Sequence, residues 1–185
     1  MFFEKLKNYN VLLASNSKRR HELLNQLGVQ YKIINQNVDE SFSNELKGSM
    51  ITDYLAKKKS SLLVNNLKKN DILITSDTIV WHKNSPLGKP KNRTEAFKMI
   101  KSLENSCHEV ITSICISTVN FQTIVNEKTL VFFDSIDEND LLYYTKTSDV
   151  LDRAGSYGIQ DYIGHVGVKK IEGSYSNVLG FPTNL

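Results

Sequence analysis

Residues 71–81 read Asp-Ile-Leu-Ile-Thr-Ser-Asp-Thr-Ile-Val-Trp, a run dense in β-branched side chains with no spacing of charges that would suit a helix face. Such side chains pack well on a pleated surface, so the run predicts a central strand. It carries Asp77 in its middle or at a bend. A carboxylate in that position costs stability unless it is paired, so it calls for a partner or a task.

Around this strand the pattern alternates. Residues 11–14 form a short apolar run suited to a buried strand. Ser17 then precedes a helical pattern with Leu23, Leu24 and Leu27 on one side, closed by Gly28. Residues 31–34 read as a second strand and 39–48 as a polar loop. Apolar residues at 51, 55, 62, 63 and 67, with Lys57, Lys58 and Lys59 between them, predict one long amphipathic helix over 51–67. Residues 85–90 carry turn chemistry, and Thr94 is expected to cap a helix reaching Leu103. Residues 109–119 and 123–133 alternate as paired strands, and 137–145 suit a short helix. Residues 155–182, glycine-rich with interleaved Tyr and Ile, suit loops and short strands lining a site rather than core helices. No repeat or linker interrupts the chain. Residues 1–185 are therefore expected to form a single α/β domain, with a mixed central β-sheet flanked by helices. A chain of this length buries about 70% of its unfolded surface, enough for a core without disulfides or structural zinc.

Composition narrows the class of partner. With 40% hydrophobic residues, 23% charged residues and a formal net charge of +3, the chain fits neither a disordered tail nor a polybasic nucleic-acid arm. Its basic residues are dispersed, which suits an anionic small substrate better than nucleic acid. Cys107 and Cys115 lack a CxxC spacing and read as reduced thiols. Glu4, Lys5 and Lys7 break the opening residues, and the first apolar run is short, so neither a signal peptide nor a membrane partner is expected. The expected location is the cytoplasm. There is no P-loop signature, GxGxxG, GxSxG, HExxH or EF-hand loop, and the four histidines share no metal-ligand spacing.

Two constellations remain. Small polar residues Ser15, Asn16 and Ser17 separate the first strand from a helix whose first turn holds Arg19 and Arg20. Cations oppose the helix dipole there, and a bound anion would offset the repulsion. The same spacing also fits arginines that merely solvate a helix face. The second constellation joins Asp77 to Glu40, Lys59 and Lys89. Two carboxylates and several cations are what metal-assisted attack on a polyphosphate requires, because the cations neutralise phosphate charge while a carboxylate orients water or a divalent ion. The plainer alternative is an aspartate ending a strand beside surface lysines.

Taken together, these segments resemble the Maf-like nucleoside triphosphate pyrophosphatases over almost the whole chain. The opening motif of that family, LASxSPRRxELL, appears as Leu13-Ala14-Ser15-Asn16-Ser17-Lys18-Arg19-Arg20-His21-Glu22-Leu23-Leu24, and its acidic loop as Val38-Asp39-Glu40. LAxxKA appears as Leu55-Ala56-Lys57-Lys58-Lys59-Ser60, and ADTVV as Ser76-Asp77-Thr78-Ile79-Val80. Leu87-Gly88-Lys89-Pro90 and the HxVxT pattern at His108, Val110 and Thr112 follow in order. Ala154-Gly155-Ser156-Tyr157-Gly158-Ile159-Gln160 and residues 173–182 look like the AGAYGIQ and GSYxNVVGLP segments. Lys18 departs from the family's proline, Ser60 from alanine and Asp161 from the glycine that usually follows Gln160. The chain also stops at Leu185, where relatives usually continue into a further helix.

The resemblance implies a fold like inosine triphosphate pyrophosphatase and hydrolysis of a nucleoside triphosphate to the monophosphate and pyrophosphate. It implies a divalent cation, Mg²⁺ or Mn²⁺, and a homodimer. Asp77 would be the proton acceptor that activates water, and Asp77 and Glu40 the metal-binding carboxylates. Ser15, Ser17, Arg19, Arg20, Lys59 and Lys89 would hold the triphosphate. The family's base-discriminating positions fall on Arg19, Thr78 and Gln160, and the Asp77-Thr78 and Gly158-Ile159-Gln160 pairings are similar to the dTTP/UTP-cleaving branch. Gln160 offers an acceptor and a donor, which matches the N3–H and O4 edge of thymine or uracil. Rival expectations are the same reaction on 7-methyl-GTP or inosine triphosphate, and a non-catalytic nucleotide-binding regulator of cell division.

Overall fold

The structure is a computed structural model and describes residues 2–185. The 71–81 run forms the third of the seven strands among the described residues: β1 (Asn10–Leu13), β2 (Lys32–Ile33), β3 (Asp71–His82), β4 (Ser85–Leu87), β5 (Cys107–Ser117), β6 (Gln122–Phe133) and β7 (Val168–Glu172). Their lateral order is β2-β1-β3-β5-β6-β7, with β4 also paired to β3. β1 runs parallel to β2 and β3 and the remaining pairs are antiparallel, so the sheet is mixed, as the sequence predicts.

One edge of β3 is shared. β5 follows the other edge from Leu73 to Trp81, whereas β1 pairs with residues 71–74 and β4 only with 80–82. Between them Thr75, Ser76, Asp77, Thr78 and Ile79 have no strand beside them on that edge. The sheet therefore opens at the residue that the sequence marks as anomalous.

Among the described residues seven α-helices flank the sheet: α1 (Phe2–Leu6), α2 (Lys18–Gln26), α3 (Ser49–Ser61), α4 (Arg93–Leu103), α5 (Glu138–Thr147), α6 (Tyr162–Gly167) and α7 (Tyr175–Val178). Because strand side chains alternate, Thr75, Asp77 and Ile79 face α3, where Ile51 and Leu55 pack on Ile79 and Ile111. Val80 and Val110 face the other way, into the largest core cluster, with Ile100, Leu103, Leu141, Tyr144 and Ile163. A third cluster seats α2 through Leu23 and Leu24 on Val11, Leu13 and Ile114.

Several boundaries differ from the expectations. The long helix over 51–67 stops at Ser61, and a 3-10 turn over Val64–Asn66 lets the chain descend to β3, where the Asp71 carboxylate accepts from the Lys68 N–H and the Asn10 amide. Helix α4 is capped by Asn92 rather than Thr94. The Asn92 side chain accepts from the Glu95 N–H, and Glu95 accepts from the Lys91 N–H, nearly a capping box. The turn at 85–90 contains a strand, since Lys83 and Asn84 both take positive φ and make a two-residue hairpin into β4. Residues 155–182 hold short helices α6 and α7 as well as β7. The stop of α2 follows expectation. Gly28 has φ +70, its N–H reaches Asn25, and the Val29 N–H reaches Leu24, a Schellman ending.

Candidate active site

The gap in β3's edge opens into a cleft of about 530 Å³, a volume suited to a small ligand. All ten residues singled out in the sequence line it: Ser15, Ser17, Arg19, Arg20, Glu40, Lys59, Asp77, Thr78, Lys89 and Gln160.

At its floor Asp77 is buried, 6% exposed, and Lys59 Nζ lies 2.6 Å from its Oδ1 and 2.8 Å from Glu40 Oε1. Lys59 reaches this position from the buried face of α3, one turn beyond Leu55 and two beyond Ile51. Burial pushes the Asp77 carboxyl above the usual aspartate range, against the pull of Lys59 and then Arg20. For Glu40 burial acts upward too, but the Lys59 hydrogen bond and charge, followed by Lys89 and Arg20, outweigh it and hold the carboxyl below its ordinary value. The two carboxylates thus share one ammonium while differing in basicity.

Above the floor, β1 ends in the Ser15–Ser17 turn and α2 begins. Ser15 Oγ accepts from the Ser17 N–H at 3.2 Å, and His21 Nε2 donates to the Ser15 carbonyl at 2.9 Å, fixing the turn. The N-cap Ser17 has no side-chain cap bond, so that side chain leaves the first-turn N–H groups of α2 without a cap among the described residues, an arrangement that favours a nearby anion. Arg20 is largely committed to the protein. Its Nε donates to the Gly180 carbonyl at 2.8 Å, Nη1 to Ser15 Oγ and the Ser76 carbonyl, and Nη2 to Thr78 Oγ1 at 3.0 Å. It plugs the open edge of β3 and brings charge rather than free donors. Arg19, in contrast, makes no hydrogen bond or ion pair among the described residues. Burial, then the nearby Arg153, lowers its guanidinium pKa.

At the mouth Lys89 Nζ pairs with Asp152 at 2.6 Å, both side chains more than half exposed. Exposed pairs are worth about 0–1 kcal/mol, so this ammonium is only weakly held. Thr78 Oγ1 is held by Arg20 and Thr112 on the face opposite Asp77. Gln160 also lines the cleft, and its carbonyl oxygen has no hydrogen-bond partner among the described residues. The sequence reading missed Arg153, Asp152 and Gln36, which also line the cleft. Only the arginine beside Ala154-Gly155 carried a readable signal, as a fifth cation adjoining a recognised segment.

A carboxylate paired with lysine, a helix start without a side-chain cap and a lining rich in cations, all in the split of a mixed sheet, define an α/β protein with a cation-lined cleft. The fold is shared with the Staphylococcus aureus Ham1 protein, whose structure superposes with a TM-score of 0.50 at 14% identity, covering 85% of this chain and 90% of that one. The family model described as Maf-like protein matches residues 10–185, and the chain belongs to that family. It is 46% identical over 183 residues to a dTTP/UTP pyrophosphatase of Flavobacterium johnsoniae, covering 99% of this chain and 94% of that protein. It is 48% identical over 184 residues to one of Christiangramia forsetii, covering 100% and 94%.

Proposed function

We propose that the protein is a nucleoside triphosphate pyrophosphatase that hydrolyses dTTP and UTP to the monophosphate and pyrophosphate. The observation that carries this reading is Asp77, buried, raised in basicity and bonded to Lys59 inside a cation-lined cleft. The named relatives support the substrate class.

The triphosphate lies across the α2 N-terminus, with Arg19, Lys59 and Lys89 against its oxygens and Arg20 adding charge from behind. Asp77 accepts a proton from water as the water oxygen bonds to the α-phosphorus, the bond from that phosphorus to the α–β bridging oxygen breaks, and pyrophosphate departs with the bridging oxygen. Lys59 opposes the upward push of burial on the Asp77 carboxyl and brings positive charge to the floor on which the phosphates lie. Gln160 reads the N3–H and O4 edge of the base, where an analogue with the wrong edge leaves buried polar atoms unpaired at about 1–3 kcal/mol each.

The donor chemistry fits a divalent cation. Asp77 Oδ2 and Glu40 Oε2 make no hydrogen bond among the described residues, and Mg²⁺ or Mn²⁺ takes such hard oxygens together with water and phosphate. Asp77 and Glu40 would hold the ion, which when bound supplies Lewis-acid neutralisation of phosphate charge.

We also propose a cytoplasmic location, which the two free cysteines support. The protein is assigned as a homodimer, for which the exposed Leu142, Tyr143 and Tyr162 on α5 and α6 offer apolar surface. Sedimentation tests the assembly.

Pyrophosphate release from dTTP, UTP, CTP, 7-methyl-GTP and inosine triphosphate with Mg²⁺ or Mn²⁺ tests the reaction. Release from dTTP and UTP that falls about 10²–10⁴-fold in Asp77→Asn is expected. Preference for a purine substrate overturns the base assignment, and tight dTTP binding without release replaces the enzyme with a nucleotide-binding regulator.

A further inference from the structure

Gln160 sits on a short segment, residues 158–160, whose position is fixed by a side-chain cluster outside the reacting centre. Tyr144, fully buried on α5, accepts from the Gly158 N–H at 3.1 Å and donates its own hydroxyl to Asp161 Oδ2 at 2.8 Å. The same Asp161 oxygen receives Arg153 Nη1. Arg153 lines the cleft beside Arg19, so Asp161 also ties back a cation that would otherwise lie free next to it. The segment is held closely from both sides. A Cβ on Gly158 would fall on the Arg153–Asp161 pair, and one on Gly164 would fall on the Ile159 carbonyl. Asp161 is thus the junction of three attachments: Tyr144 and through it the Gly158 backbone, Arg153, and α6, whose Gly164 N–H donates to the Asp161 carbonyl at 2.9 Å.

We propose that Asp161 is a positioning residue for base selection, holding Gln160 in register with the pyrimidine edge by anchoring Tyr144 and Arg153. The inference rests on the reading of the cleft as a dTTP and UTP site and names how that site is kept selective. Asp161 touches neither the phosphates nor the floor carboxylates. Its loss disturbs recognition of the base and leaves the Asp77 and Lys59 floor intact. A side chain free to lean away from the base no longer penalises the wrong edge, so selectivity falls before turnover does.

The test compares the full chain with Asp161→Ala, Asp161→Asn and Tyr144→Phe, measuring dTTP and CTP binding by calorimetry and kcat and KM for pyrophosphate release. In Asp161→Ala the dTTP-over-CTP preference narrows at least about tenfold, carried by KM, with kcat within about threefold. Asp161→Asn, which still accepts from Tyr144, recovers at least half of that preference on a logarithmic scale. Tyr144→Phe, which keeps the ring but loses the Gly158 acceptor, shifts it in the same direction if Asp161→Ala does not fold. A preference unchanged in both Asp161→Ala and Tyr144→Phe, or dTTP and CTP weakened equally, overturns the proposal. Absence of release by the unsubstituted protein overturns the enzymatic reading instead, and the binding ratios still decide the role of Asp161.

Discussion

At the scale of single residues, the floor of the cleft is an exchange between burial and charge. Burial raises the basicity of Asp77, and the Lys59 ammonium 2.6 Å away opposes that rise. As a base Asp77 works only when deprotonated, so activity falls as pH drops through its raised pKa. Removing the ammonium that opposes the rise moves the fall to higher pH. In Lys59→Met the acid limb of the kcat/KM profile is expected to shift upward, beyond any loss of rate from weaker phosphate binding. An acid limb that stays in place would separate Lys59 from Asp77 ionisation. The sequence shows why Asp77 matters, since a carboxylate in a β-branched run is anomalous on its face. It shows Lys59 only to a reader who extends the Ile51 and Leu55 spacing by four, where a lysine occupies a core position of α3. The Arg20 commitments are not legible, because their acceptors lie as much as 160 residues away.

At the scale of elements, local chemistry decides boundaries that periodicity leaves loose. Asn92 and Thr94 are both good N-caps, and Glu95 settles the matter by standing three residues after Asn92. Asn92→Ala should cost about 1 kcal/mol and lower the melting temperature by about 2–4 °C, whereas Thr94→Ala should leave it nearly unmoved. The hairpin at Lys83 and Asn84 stays hidden because lysine seldom takes positive φ, so no turn signal marks it. Gly155 is the opposite case. Its φ of +68 and the Val80 Cγ2 that a Cβ would meet at 2.8 Å leave room for no side chain. Gly155→Ala should therefore cost about 2–4 kcal/mol in thermal or denaturant unfolding, from the left-handed backbone and the clash together. The short helix α6 escapes a reading by composition because Gly164 and Gly167 serve close packing rather than turns.

At the scale of the whole molecule, the long strands and helices follow from the sequence but the lateral order of the strands does not, since β1 and β4 meet the same edge of β3 although 57 residues separate β1 from β3 and only two separate β3 from β4. Stability also carries a molecular pH dependence. His108, buried between Phe133 and Tyr157, is pushed by burial, and then by His82, from the usual 6.5 down to about 3. Below pH 6.5 the unfolded chain binds a proton that the folded protein refuses. Stability is therefore present above that pH and is lost as pH falls toward 3. By pH 5 the loss is about 2 kcal/mol, and His108→Gln should flatten the melting curve's dependence between pH 6.5 and 5. The split edge of β3 has a last consequence. Successive residues of that strand serve opposite sides of the sheet, Asp77 toward α3 and Thr78 toward Arg20, so one inserted or deleted residue exchanges their duties without altering composition. Tolerance to changes in chain length should therefore collapse over 71–82 while persisting in the 118–121 connection. A scan of single-residue deletions would reveal the strand as indivisible where conservative substitutions at Ile72 or Ile74 would pass almost unnoticed.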